Sequence, residues 1–404
     1  MKTITTFLIM LLLTATTLSA QDIYVAGVEY NGGMPSATLW KNGAAQTLNN
    51  GSHEAMAYSV AVSGSDVYVA GNEHNGTNQV AILWKNGAPQ YLSDGSNYAD
   101  ATSVFVSGSD VYVAGKDNEI IKVWKNGVSQ DLTDGSNSAG AHSIFVSGND
   151  VYVAGYEKNG SVWVAKLWKN GVAQDLTDGS KQAMAYSVFV SGSDVYVAGY
   201  ESNGTRWVAK LWKNGAAQVL TNGANNAVAG SVFVSGSDVY VAGYENNGTY
   251  GVAKLWKNGT AQTLSDGTSE AGAGSVYVSG SDVYVGGHEY NATKAVAKLW
   301  KNGVEQALSD GTYDAVAASV FVTGSLGTSD ISKNNFTLYP NPVQDVLNIQ
   351  IIEPTTLQLY SLQGQLLKEI KADKNTQVDI SGLASGIYLL KEMNGSTAYK
   401  VIKE

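Results

Sequence analysis

SVFVSGSDVYVAG (Ser187–Gly199), followed by WVAKLWKNG (Trp207–Gly215), is the stretch that decides the fold. Its β-branched and aromatic residues favour strands over helices. Ser187–Val190 reads as one strand, turning at Ser191–Asp194 into a second, Val195–Gly199. The segment 200–206 reads as a longer loop into a third strand, Trp207–Trp212. Asn214-Gly215 is the favoured pair for a type I′ hairpin, and it leads to a fourth strand, Ala217–Leu220. A second long loop, 221–230, reaches the next copy.

Working outward, the Trp of the WKNG string recurs at 40, 84, 124, 168, 212, 256 and 300. The spacings are 44, 40, 44, 44, 44 and 44, a propeller-blade period and a long one for a solenoid coil. Both faces of DVYVAG are apolar, so each small sheet expects a neighbour on each side rather than water on one. The copies begin at a second strand, Asp22–Gly27, and end after a first strand, Ser319–Ser325. Joining the two ends restores the internal pattern, which predicts one shared blade and no exposed sheet edge at the ends. The predicted fold is all-β: a seven-bladed β-propeller (residues 21–325) with shared-blade closure.

The V-x-V, Gly-turn and YVA strings resemble bacterial propeller repeats of the NHL and SBBP kind, a resemblance that supports fold more than function. The WD dipeptide, the kelch Gly-Gly pattern and the sialidase-type Asp box are absent from the sequence, so the functions of those families are not carried over.

The 404 residues include 45 Gly, 5 Pro, 23 Tyr, 9 Trp and no Cys. Without Cys, neither disulfides nor thiolate zinc sites are available, so stability must come from packing. Net charge is −10, carried by residues 21–325 with 17 Lys and Arg against 27 Asp and Glu. Such acidity disfavours nucleic acid and anionic membranes as partners. Residues 1–20 read as a secretory signal peptide cleaved near Ala20: Lys2, then the apolar run Phe7–Leu13, too short to span a bilayer, then small residues.

After a polar linker (326–335) the repeat stops. LYPNPVQDVLNIQ (Leu338–Gln350), LQLYSLQGQLLKE (Leu357–Glu369) and VDISGLASGIYLLKE (Val378–Glu392) follow, and the chain ends in Lys-rich sequence. Alternation of Leu347, Ile349 and Ile351 with Val346, Asn348 and Gln350 predicts a small β-sandwich with one apolar face inward. In order, these strings resemble the type A C-terminal sorting domain of type IX secretion, a route of the Bacteroidota. The resemblance covers residues 336–404 and implies recognition by the type IX machinery, usually with later removal of the domain, and surface attachment or release.

Residues that could carry chemistry are sparse. His53 and His142 read as lying in fourth-to-first loops, and His74 and His288 in second-to-third loops, as solvated side chains rather than converging metal ligands. The recurring Ser of SVFV and Asp of DVYV read as turn formers. Asp94, Asp134, Asp178, Asp266 and Asp310 precede Gly and read as loop-starting turns, lacking the alternate carboxylates of a calcium loop. Asn75, Asn159, Asn203, Asn247 and Asn291 precede x-Ser/Thr and read as turn residues too. No Ser-His-Asp or paired-carboxylate set emerges, so no enzyme activity and no cofactor is expected.

Tight one-to-two and three-to-four turns would place all long loops on one face, where binding residues concentrate. That face would carry a ring of Glu29, Glu73, Glu157, Glu201, Glu245 and Glu289 with Asp117. Lys166, Lys210, Lys254 and Lys298 are placed to neutralise it. One column differs between copies: Pro35, Gln79, Glu119, Trp163, Trp207, Gly251, Ala295. Near it lie Tyr30, Tyr156, Tyr200, Tyr244 and Tyr250. Exposed aromatics beside polar groups suit sugar or protein recognition, and packing between blades is the competing reading. The candidate ligand-binding residues are therefore Trp163, Trp207, Tyr156, Tyr200, Tyr250, Glu157 and Glu201. The sequence predicts an exported, surface-attached or secreted, non-catalytic binding or scaffold protein engaging glycan or protein, with no membrane span. A lyase or hydrolase acting in the central funnel and a purely structural surface-layer component are the alternatives.

Overall fold

The computed structural model describes residues 21–323, 336–340, 342–351, 354–361, 366–392 and 398–403. The expected signal peptide, Gly324, Ser325 and the linker lie outside the described residues. The chain divides into two compact units, one over 20–325 and one containing 326–404.

The first unit holds seven four-stranded antiparallel sheets. The fifth is typical: Ala183–Ser191, Asp194–Ser202, Trp207–Lys213 and Ala216–Val219, in that order. Every Asn-Gly turn between third and fourth strands has both residues at positive φ, as in Asn214 (51°) and Gly215 (81°), the type I′ geometry that matches strand twist. Asp194 reinforces this end of the sheet. It accepts from the Asn214 amide at 2.8 Å and pairs with Lys213 at 2.7 Å, while Asn214 accepts the Val195 N–H.

The first sheet joins the two ends of the unit. Ala315–Val322 pairs antiparallel with Ile23–Asn31, with Val25 opposite Val320. The two ends of the repeat region therefore meet by sharing one sheet; none of the seven closes on itself.

Successive sheets are held together in two ways. Seven apolar clusters each draw on two neighbouring sheets, and one of them joins Val25, Trp40 and Ala317 of the first sheet to Tyr284 and Leu299 of the last. The seven repeat Trp side chains are at most 1% exposed within them. The Ser of each SVFV string also accepts a backbone N–H from the following sheet: Ser59 from Val104, Ser103 from Ile144, and so on to Ser275 from Val320 and Ser319 from Val60. This corrects the expectation that these serines form turns. A two-faced sheet must satisfy polar groups between layers, and a hydroxyl there spares a buried N–H from going unpaired.

Two further expectations are revised. First strands begin four residues earlier than read, at Ala183 rather than Ser187 in the fifth copy. Their Ala-x-Ala starts have low strand propensity and break alternation, yet the flanking alanines are buried. The second-to-third connections are not all long. They have two residues in the first, third and fourth sheets and four elsewhere, whereas all fourth-to-first connections have seven. The Asn side chains at 75, 203 and 247 accept backbone N–H groups two and three residues on, which is turn chemistry as expected.

Among its described residues the second unit has two sheets, one of three strands and one of four, around a shared core of Leu347, Ile349, Leu357, Leu359, Leu390 and Val401. Leu347, Ile349 and Ile351 face that core and Val346 is exposed, as the alternation predicts.

Candidate functional site

Each first strand contains a β-bulge at one repeat position. The register against the second strand slips between Ala57 and Ser59, and identically in the other six sheets. The extra residues are Tyr58, Thr102, His142, Tyr186, Gly230, Gly274 and Ala318. A bulge re-aims its side chain, and here all seven residues line a single cavity of about 570 Å³. They lie near the first-strand starts, where the seven-residue connections arrive. The bulge column is thus asymmetric, with Tyr58, Thr102, His142 and Tyr186 on one arc and Gly and Ala on the other, while Tyr244 and His288 from the sheets of Gly230 and Gly274 also line the cavity.

His142 occupies the large-residue arc. Its ring stacks on Tyr186 at 4.7 Å between centroids and 19° between planes, and meets Tyr156 at 5.3 Å. Tyr156 lies edge-on to Trp163 at 4.8 Å, and its ring covers Gly140, where any Cβ would clash with it. On the other side Tyr186 meets Tyr200 at 6.1 Å, and Tyr200 meets Trp207 at 5.2 Å. Six rings therefore run without a break from Trp163 to Trp207 across two sheets. Trp207 is 43% exposed and lines the cavity, Trp163 is half-buried under the Lys158 ammonium, and Tyr200 is buried.

Polar groups border the array. His142 Nδ1 lies 3.0 Å from the Ala185 carbonyl oxygen, so as the N–H donor it would leave Nε2 as acceptor. Burial depresses its pKa, which favours the neutral ring. Burial raises the Tyr58 and Tyr186 phenols. Tyr58 Oη accepts from the Asn72 amide at 3.1 Å, and both phenols otherwise donate only to methionine sulfur, a weak acceptor. Asp100, on the same arc, has a buried Oδ1 with no hydrogen-bond partner, and desolvation raises its pKa against the pull of Lys116.

The other candidates fall elsewhere. Strand alternation turns Glu157 and Glu201 away from the face of Tyr156 and Tyr200, and they pair with Lys166 at 3.2 Å and Lys210 at 3.1 Å. Lys298 pairs with Glu289 and Glu305, while Lys254 bonds Thr263. Tyr250 is 39% exposed on a four-residue connection and does not line the cavity. The loop placement of His142 and His288 is corrected: both lie in strands and line the cavity. His74 ends a second strand, and His53 is exposed in a connection. The bulge column escaped the sequence reading, although its signal is present. Within Ala-x-Ala-X-Ser the Ala and Ser flanking X are constant, and X runs through Tyr, Thr, His, Gly and Ala.

Among the described residues, no three His, Asp or Glu gather as metal ligands, and no helix is long and apolar enough to cross a membrane. The chain matches no curated protein. Among solved structures it is similar to a puromycin hydrolase S511A mutant complexed with PGG, with TM-score 0.51 and 10% identity over 81% of this chain. It spans 56% of that chain. It is also similar to an acylaminoacyl peptidase of Pyrococcus horikoshii, with TM-score 0.46 and 12% identity, over 84% of this chain and 60% of that one. At such identity the first likeness speaks to the fold alone, and it agrees with repeated four-stranded sheets. Residues 337–404 match the secretion system C-terminal sorting domain family, which makes this end of the chain a type IX sorting domain and the protein an exported one.

Proposed function

We propose that this protein is a non-catalytic binding module carried out of the cell by its C-terminal domain. Residues 21–325 form a seven-bladed propeller closed through the shared first sheet, a signal peptide precedes it, and 326–335 is a linker. The cavity-lining rings of the six-ring array, His142, Tyr186 and Trp207, engage glycan with Tyr156, Trp163 and Tyr200 packed against them, and the protein ends attached to the outer surface or released. The observation that carries this reading is the array itself. Aromatic faces beside hydroxyl, amide and imidazole edges match the mixed apolar and polar surface of a sugar.

The test is a panel of neutral gluco-, manno-, galacto- and xylo-oligosaccharides of two to six units, read by tryptophan fluorescence on the recombinant chain. Binding to a subset, weakened at least tenfold in Trp207→Ala, supports the reading. Turnover of a panel member would move the protein to the enzyme class. Binding of no member would remove the glycan assignment.

A further inference from the structure

Gly230 and Gly274 occupy bulge positions that hold Tyr58 and Tyr186 in other sheets, so the backbone there accepts a large aromatic. Neither has a positive φ. A Cβ added to Gly230 would come no closer than 3.5 Å to any atom, and one on Gly274 no closer than 3.8 Å. The contrast is with Gly243 and Gly287 behind them, where a Cβ would fall 2.0 Å from a carbonyl oxygen. Those two glycines are required by the fold; Gly230 and Gly274 are not. With Ala318 they leave open three consecutive positions of a seven-position column, opposite an arc filled by Tyr58, His142 and Tyr186.

We propose that this cleared arc is a specificity pocket that admits one neutral pyranose unit of a glycan, seated against Tyr58, His142 and Tyr186. The inference rests on the glycan reading above and deepens it by placing the sugar. Three observations point to this class of ligand. The lining side chains on the filled arc are uncharged ring and hydroxyl groups, and the carboxyl on that arc, Asp100, does not line the cavity and is pushed toward its neutral form by burial. The phenols and the free imidazole nitrogen have hydrogen-bonding capacity left over, which hydroxyls of a sugar would use. The opening is wide enough for about one or two sugar rings, at about 570 Å³. Because only one arc of the ring is cleared, the repeat architecture yields one site and not seven.

The experiment restores the filled column. Gly230→Tyr and Gly274→Tyr are made in the full chain, alongside Trp207→Ala, and each is titrated with the tightest-binding member of the oligosaccharide panel. Thermal unfolding checks that the variants fold; should a tyrosine variant unfold, Gly230→Ser and Gly274→Ser, which add a smaller group, take its place and are expected to weaken binding several-fold. The expected result is a loss of at least tenfold in affinity for both tyrosine variants with the melting transition preserved. Full affinity in folded tyrosine variants, with binding still lost in Trp207→Ala, would overturn the pocket while leaving the glycan reading intact. Failure of the unsubstituted chain to bind any panel sugar would overturn both.

Discussion

The backbone N–H of Val60 donates to the hydroxyl of Ser319 at 3.2 Å, across 259 residues of chain. The same bond joins each sheet to the one before it, so this contact returns the series to its start. Val320 and Val322, on the same strand as Ser319, are buried against the neighbouring sheet. Deleting Ser319–Val322 removes both, each contributing about 1.5–3 kcal/mol, and exposes the edge of Ile23–Asn31. We expect a large fall in melting temperature for the whole repeat region, whereas Ser319→Ala alone should cost about 1 kcal/mol. Calorimetry of both variants checks this; a deletion that leaves the midpoint in place would rule out closure through the shared sheet.

Trp207 and Trp212 lie on one strand and serve different ends. Trp207 is 43% exposed and Trp212 fully buried between sheets. Trp212→Ala should cost about 3–5 kcal/mol, while Trp207→Ala should leave the denaturation midpoint nearly unchanged. A large destabilisation by Trp207→Ala would assign that ring to the core and remove it from the binding face.

Stability should fall as the solution is acidified from pH 7.5 to 5.5. His142 and His288 have folded-state pKa values lowered from the ordinary 6.5, chiefly by burial. The unfolded chain therefore takes up protons first. The stabilising effect of the neutral rings is present above 6.5 and is lost progressively as pH drops toward the folded values. Lys116 reinforces the shift at His142, and Glu270 opposes it at His288. Replacing both with Asn should flatten urea-derived stability across this window; an unchanged slope would contradict the buried, neutral state.

The repeat period, the two-faced strands, the Asn-Gly hairpins and the sorting domain were all legible in the sequence, because each depends on local pattern. The cavity was not. Its residues sit on bulges, and a bulge is invisible to an alternation rule that assumes a side-chain period of two. His142 therefore reads as a loop residue. Trp163 and Trp207 stand out in the sequence because other copies carry small or polar residues at their position. What joins them, the path through Tyr156, His142, Tyr186 and Tyr200, crosses two sheets and depends on how those sheets pack. Glu157 and Glu201 fall outside the array for a simpler reason: they neighbour Tyr156 and Tyr200 in sequence but point to the other side of the strand.

Removing residues 337–404 should leave the repeat region folded, since its described strands and inter-sheet bonds are complete by Val322. The truncated protein should be retained within the cell envelope. Fractionation of a type IX-competent host expressing both forms checks this, and surface delivery of the truncated form would show that the C-terminal domain is dispensable for export.

The most direct test of the account is the stoichiometry of binding. Seven near-identical repeats could offer seven equivalent sites, but the six-ring array and the cleared arc break that symmetry. Isothermal titration of the full chain with the tightest-binding oligosaccharide of the panel should give one site per chain. Several equivalent sites per chain, or no saturable binding by any panel member, would contradict the claim that the central cavity is where this protein binds.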